Sequence, residues 1–153
     1  MQKATANTIV TLRGPFGRCY YYNPEKLSFN ILLAGTGTGL APLVGVIKSA
    51  LNQKHEGNIT LVHGGIIEED IYHREELETL SLLFHQFYYD PCVLQSKGTY
   101  PEYSIDKRIL THLNNPSQTR VFVCGPKEIT NKLKTQAFLA GVPSSNIYSD
   151  VFL

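Results

Sequence analysis

The residues best placed to do chemistry in this chain are glycines at the ends of apolar runs. Gly35-Thr36-Gly37-Thr38-Gly39 carries three glycines in five positions. An apolar run, residues 29–34, precedes it. After it, Leu40, Leu43, Val44, Ile47 and Leu51 fall on one helical face. Strand, glycine turn and helix is the arrangement in which backbone N–H groups at a helix N-terminus meet an anion, and the missing Cβ lets a diphosphate come close. Pro42 suits the first helical turn, where its absent N–H costs nothing. The spacing is not the Rossmann G-x-G-x-x-G, and a turn that only reverses the chain is the competing reading. Gly64-Gly65 and Gly125-Pro126 end two further apolar runs, 59–63 and 121–124.

These turns need a scaffold, and the pattern around them supplies one. Strands are expected at 29–34, 59–63, 87–94 (interrupted at Pro91, which suggests an edge or bulge), 121–124 and 147–149. Helices between them carry Leu77, Leu80, Leu83 and Phe84; Ile105, Ile109, Leu110 and Leu113 behind a Ser104 cap; and Ile129, Leu133, Ala137 and Ala140, stopping at Gly141. Alternating strands and helices imply α/β architecture, a five-stranded parallel sheet covered on both faces, with ligands beyond its C-terminal edge. Residues 8–13 and 19–22 read as strands of a separate, all-β opening. A boundary near residue 28 divides the chain into 1–28 and 29–153.

Composition narrows the classes. Apolar content of 42% and charged content of 18% describe a globule with a buried core. A net charge of +1 offers nothing to nucleic acid or an anionic membrane. No apolar run approaches a membrane span, and the polar N-terminus leads to the expectation of a cytoplasmic protein. Cys19, Cys92 and Cys124 are odd in number and lack a Cys-x-x-Cys, so no disulfide framework, zinc site or iron–sulfur cluster is expected, and no metal ligand is assigned. His63 and Cys124, both near strand ends, raise a Cys–His nucleophile, which the glycine turns and the absence of Gly-x-Ser-x-Gly make the poorer reading.

Three stretches carry a family resemblance. Gly35-Thr36-Gly37-Thr38-Gly39-Leu40-Ala41-Pro42 resembles the Gly-x-Gly-Thr-Gly-x-Ala-Pro signature of the ferredoxin–NADP reductase superfamily. Val123-Cys124-Gly125-Pro126 resembles its Cys-Gly-Pro, and Gly14-Pro15-Phe16-Gly17 the Gly-Pro-aromatic-Gly that closes its flavin barrel. The resemblance implies a Rossmann-like three-layer NAD(P)-binding domain behind a short β remnant of that barrel. It implies an NAD(P)H-dependent flavin oxidoreductase in which a hydride passes from NADH or NADPH to FAD, and electrons then to an iron–sulfur or haem protein. By the same resemblance Gly37, Thr38 and Gly39 hold the diphosphate, with Gly35, Thr36, Pro42, Gly64 and Gly65 around the cofactor. Cys124, Gly125 and Pro126 lie along ribose and nicotinamide, with Cys124 near the hydride-bearing carbon. Asp150 is the acid near the C-terminus, and Phe152 the aromatic that follows it.

Two departures qualify the resemblance. The flavin motif Arg-x-Tyr-Ser is absent, so the barrel is expected to be largely missing and the isolated chain inactive. Ile66 stands where many relatives carry an arginine for a 2′-phosphate, and Glu68-Glu69-Asp70 follow, which favours NADH, although Arg74 lies one turn further on. Those three carboxylates are otherwise read as a solvated helix start. Expected partners are a flavin domain, an electron acceptor and, through an apolar surface near Phe16, Tyr20 and Phe152, a second copy of the chain. The alternatives are a non-catalytic dinucleotide-binding or regulatory module, or an interaction subunit with a vestigial turn.

Overall fold

A computed structural model describes residues 5–6, 8–11, 13–14, 16–25 and 28–152. Five parallel strands form one sheet: β1 (Asn30–Thr36), β2 (Ile59–Gly65), β3 (Phe87–Val93), β4 (Thr119–Gly125) and β5 (Ile147–Val151), in the order β3-β2-β1-β4-β5. The helices between them are α1 (Leu40–Asn52), α2 (Arg74–Leu83), α3 (Ile105–Arg108) and α4 (Lys127–Leu139).

Both faces of the sheet are buried, which is why the strand sequences do not alternate. Ile31, Leu33, Leu61 and Phe122 face α1 and α2 through Leu43, Ile47 and Leu77. Leu32, Ala34, Val62, Val121 and Val123 face α3, the 3-10 turn that follows it (Ile109–His112) and α4 through Ile105, Ile109, Leu133 and Ala137. Each fully buried leucine or isoleucine contributes about 2 kcal/mol. Leu33 sits level with Leu61 on one side and Phe122 on the other, so the glycines at or beside the ends of β1, β2 and β4 arrive at the same edge. The chain adds strands outward from β1 in one direction and then returns to add β4 and β5 on the other side. The reversal at β1/β4 is the switch point where such sheets open a crevice.

Several expectations need correction. Among the described residues no strand precedes Asn30, so the β remnant is not formed there. Ile9 is 96% exposed and finds no partner strand; its β-branched neighbours reflect propensity without pairing. Leu12 and Pro15 lie outside the described residues. Residues 18–22 instead run as an extended strap along the sheet. Arg18 and Cys19 bond Asp150 at the C-terminal edge, while buried Tyr21 bonds His55 Nδ1 (3.1 Å) at the other. Arg120 donates to the Tyr22 carbonyl (2.8 Å) and lies 3.8 Å over the Phe29 ring. The strap therefore contacts the sheet across the position expected for a boundary.

β3 runs unbroken through Pro91, which an edge strand tolerates because one side of its ladder is unpaired. Leu110 (42% exposed) faces outward rather than inward, as does Leu83 (70%), the last residue of α2. Ser104 occupies the N-cap of α3 but its hydroxyl does not cap the helix. α4 stops as expected: Gly141 takes φ +99°, and Val142 N–H donates to the Ala137 carbonyl.

Candidate dinucleotide site

β1 delivers Thr36 to the C-terminal edge, where Gly37–Gly39 make a single 3-10 turn into α1. The three glycines have different tasks. A Cβ on Gly35 would meet Leu43 Cδ1 at 2.6 Å, and one on Gly39 would meet the Cys124 carbonyl at 2.4 Å. These two let α1 pack against β4. Gly37 has φ +52°, is exposed, and a Cβ there would meet nothing within 4 Å. Thr38 beside it is exposed too. No side chain caps the turn or the start of α1, so its amide donors and the positive end of the helix dipole face outward. Pro42 stands half-buried in the first turn of α1.

In front of Gly37 lies a cavity of about 810 Å³, within the range of small-molecule sites. Thr36, Gly37, Gly64 and Gly65 form its floor and Pro126 one rim. Ile66, Leu94, Ile105 and Ile129 give it apolar walls, and Glu69, Asp70, Asp106 and Lys132 line it as well. Gly64 is buried, and a Cβ on it would crowd Ile105 and Thr36. Lys132 is paired with Asp106 at 2.7 Å.

Two features of this half escape a sequence reading. Tyr72 donates its hydroxyl to the Gly37 carbonyl at 2.5 Å and stacks edge-on against His63, bracing the turn. His63 bonds Tyr89 through Nδ1 (3.0 Å), and its buried Nε2 has no hydrogen-bond partner among the described residues. Burial pushes the His63 pKa down to about 4. The acidic run starts a short helical segment, a 3-10 turn over Glu68–Asp70 with Glu69 and Asp70 exposed, and its carboxylates also tie loops together. Glu68 accepts from the Lys97 and Thr99 amides; the Thr99 side chain, then its amide and that of Lys97, hold the Glu68 pKa down to about 2, and Asp70 accepts from the Ile66 and Ile67 amides, so the run shapes the cavity rim.

The other half of the edge, at β4 and β5, is covered. Gly125 takes φ +147° with Thr36 against it, and Cys124 is fully buried. The Cys124 thiol points to the sulfur of Cys19 on the strap, 3.3 Å away. That contact, followed by burial, raises the Cys19 pKa strongly. Asp150 receives the Arg18 amide at 2.7 Å and the Cys19 amide at 3.1 Å; it packs where a Cβ on Gly17 would be, and Gly17 also takes φ +104°, so position 17 suits only glycine. Phe152, half-buried, packs on the core and donates its N–H to the Gly125 carbonyl at 3.0 Å. His63 and Cys124 are not a dyad, because β1 separates their strands and each has its own partner.

Comparison with known proteins agrees with this fold. A family model described as an oxidoreductase NAD-binding domain matches residues 33–135. NADH-cytochrome b5 reductase 1 of Dictyostelium discoideum is 36% identical over 148 residues, 92% of this chain and 50% of that protein. The toluate 1,2-dioxygenase electron transfer component of Pseudomonas putida is 26% identical, over 94% of this chain and 42% of its own length. The chain thus spans half or less of these relatives. The Amycolatopsis cytochrome P450 reductase GcoB shares the fold with a TM-score of 0.81 at 21% identity, over 91% of this chain and 42% of its own.

Proposed function

We propose, from the premise that this chain belongs to the oxidoreductase NAD-binding domain family of the ferredoxin–NADP reductase superfamily, that it is the nicotinamide-binding domain of a flavin-dependent electron-transfer reductase. It takes NAD(P)H, NADH by preference, along the C-terminal edge of its sheet. FAD is held mainly by a flavin domain outside these residues, and an iron–sulfur or haem protein accepts the electrons. The observation that carries the reading is Gly37, with positive φ and open space before it, at an uncapped helix N-terminus facing the cavity. When bound, the nicotinamide supplies the hydride that the flavin takes up.

The chain's own residues orient and enclose. The amides of Gly37, Thr38 and Gly39 grip the diphosphate, with Tyr72 fixing the turn from behind. The apolar walls at Ile66, Leu94, Ile105 and Ile129 hold the adenosine end. Gly125 and Pro126 line the path toward the nicotinamide. Cys124 meets it once the Cys19 strap withdraws, with Asp150 and Phe152 bordering that position. Preference for NADH is supported by Glu69 and Asp70 beside Ile66 and by the lack of arginine among the described lining residues. Arg74 is paired with Glu78 at 2.7 Å.

Phe16 (84% exposed), Tyr20 (65%) and Tyr22 (65%) offer an apolar face for the flavin domain or a second copy of the chain. No helix among the described residues is long and apolar enough to cross a membrane, and we place the domain in the cytoplasm. Without the flavin domain the chain binds nucleotide but transfers nothing. Burial of Cys124 beneath Cys19 favours a second reading, a non-catalytic dinucleotide-binding module.

Calorimetric titration tests the binding: NADH binds, more tightly than NADPH, and Gly37→Ala weakens it at least tenfold. Absence of binding, or tighter NADPH, overturns the assignment. Reduction of FAD by NADH in a protein joining this domain to its flavin domain separates the reductase from the silent module.

A further inference from the structure

We propose that Cys19, Cys124 and Asp150 form a binding site for a borderline-soft divalent cation of the zinc class, closing the nicotinamide end of the cleft. Sequence gives no hint of it, because the two cysteines are 105 positions apart. Folding brings both sulfurs and a carboxylate oxygen within 4.8 Å of one another. Two thiolates on a tetrahedral ion with bonds of about 2.3 Å stand roughly 3.7 Å apart. The observed 3.3 Å needs only a few tenths of an ångström of opening.

The donors come from three elements joined by hydrogen bonds. Cys124 is on β4 and Asp150 on β5, paired directly across the ladder, and Cys19 is on the strap that Asp150 itself anchors through two amides. Each oxygen of Asp150 receives one of those amides and keeps lone-pair capacity for a metal. Two sulfurs and one oxygen suit zinc or cadmium over magnesium or calcium, which prefer an all-oxygen shell. Binding releases the two thiol protons to solvent as two metal–sulfur bonds form, with no change of oxidation state. A fourth position is left for water, as in open zinc sites.

A cation here fastens the strap over Cys124, the residue assigned to the nicotinamide. That blockade rests on the reading proposed above; the metal site does not.

Titration of the reduced chain with Cd²⁺, without nucleotide, reads the site directly. The expected result is a thiolate–cadmium charge-transfer absorbance saturating at one equivalent. Cys19→Ser abolishes it and Asp150→Asn weakens binding at least tenfold, whereas Cys92→Ser, which alters a cysteine buried on the other face of the sheet, leaves it intact. Circular dichroism of each variant confirms that it is folded. No charge-transfer band, or an unchanged band in Cys19→Ser, overturns the site. NADH titration of the cadmium-loaded chain should show at least tenfold weaker binding than the metal-free chain; equal affinity overturns the blockade while leaving the site. If the metal-free chain fails to bind NADH, the dinucleotide reading has failed instead.

Discussion

The two halves of the sheet's C-terminal edge are built from the same parts and finished in opposite ways. After β1 the chain makes a glycine turn into α1, and Gly37 opens onto an 810 Å³ cavity. After β4 it makes another, Gly125-Pro126, into α4, and there the adjoining Cys124 lies under Cys19, with Asp150 tying the strap down. One half is an open glycine turn in front of a cavity. The other is sealed by the protein's own residues 17–19. A glycine turn at a sheet edge is thus not yet a binding site; what packs above it decides. On the function proposed above, the nucleotide docks first by its diphosphate, and the nicotinamide end requires the strap to move.

Substitutions can break this contrast. Gly39→Val places a side chain against the Cys124 carbonyl, which cannot yield; we expect a loss on the order of 3–5 kcal/mol, read as urea unfolding, with nucleotide binding lost alongside. Acid should loosen the open half. The buried His63 has its pKa depressed from 6.5 to about 4, so the folded state resists its protonation. Its stability contribution is whole above pH 6.5 and falls as the pH drops toward 4, by about 3 kcal/mol at most. His55, depressed in the same direction chiefly by burial, adds to the trend. A His63→Phe variant should flatten that pH dependence; an unchanged profile would dissociate His63 from it.

Gly37→Ala should cost roughly 1 kcal/mol of stability, the expense of a left-handed alanine, while weakening NADH at least tenfold. Normal binding in this variant would mean that the diphosphate sits elsewhere. Asp150→Ala should leave the melting temperature within a few degrees but speed hydrogen exchange at the Arg18 and Cys19 amides, which lose their acceptor. Unaltered exchange would show that the strap is held by other contacts. The smallest expected effect is Ile66→Arg, a several-fold shift of preference toward NADPH, read by paired titrations.

Much of the fold was legible because buried parallel strands and amphipathic helices leave strong local patterns. Residues 31–34 and 121–124 are apolar throughout, and 59–62 is broken only by Thr60, because both faces of each strand are covered. Residues 8–13 misled, since β-branched side chains favour a strand but pairing needs a neighbour that local sequence does not reveal. Gly35, Gly37 and Gly39 look alike in sequence, yet two serve packing and one faces the cavity; Leu43 and Cys124, distant in the chain, make that distinction. The Tyr72 brace, the loop contacts of Glu68 and the Cys19–Cys124 approach were invisible for the same reason: each joins segments with no common local pattern.

The most direct test of the central claim is an amide chemical-shift titration of this chain with NADH. The account predicts that the first and largest shifts fall on Gly37, Thr38, Gly39, Gly64 and Gly65, with Cys19 and Gly125 following as the strap yields. Shifts confined to the opposite edge, around Tyr21 and His55, or none at any of the five glycine-turn amides, would contradict it.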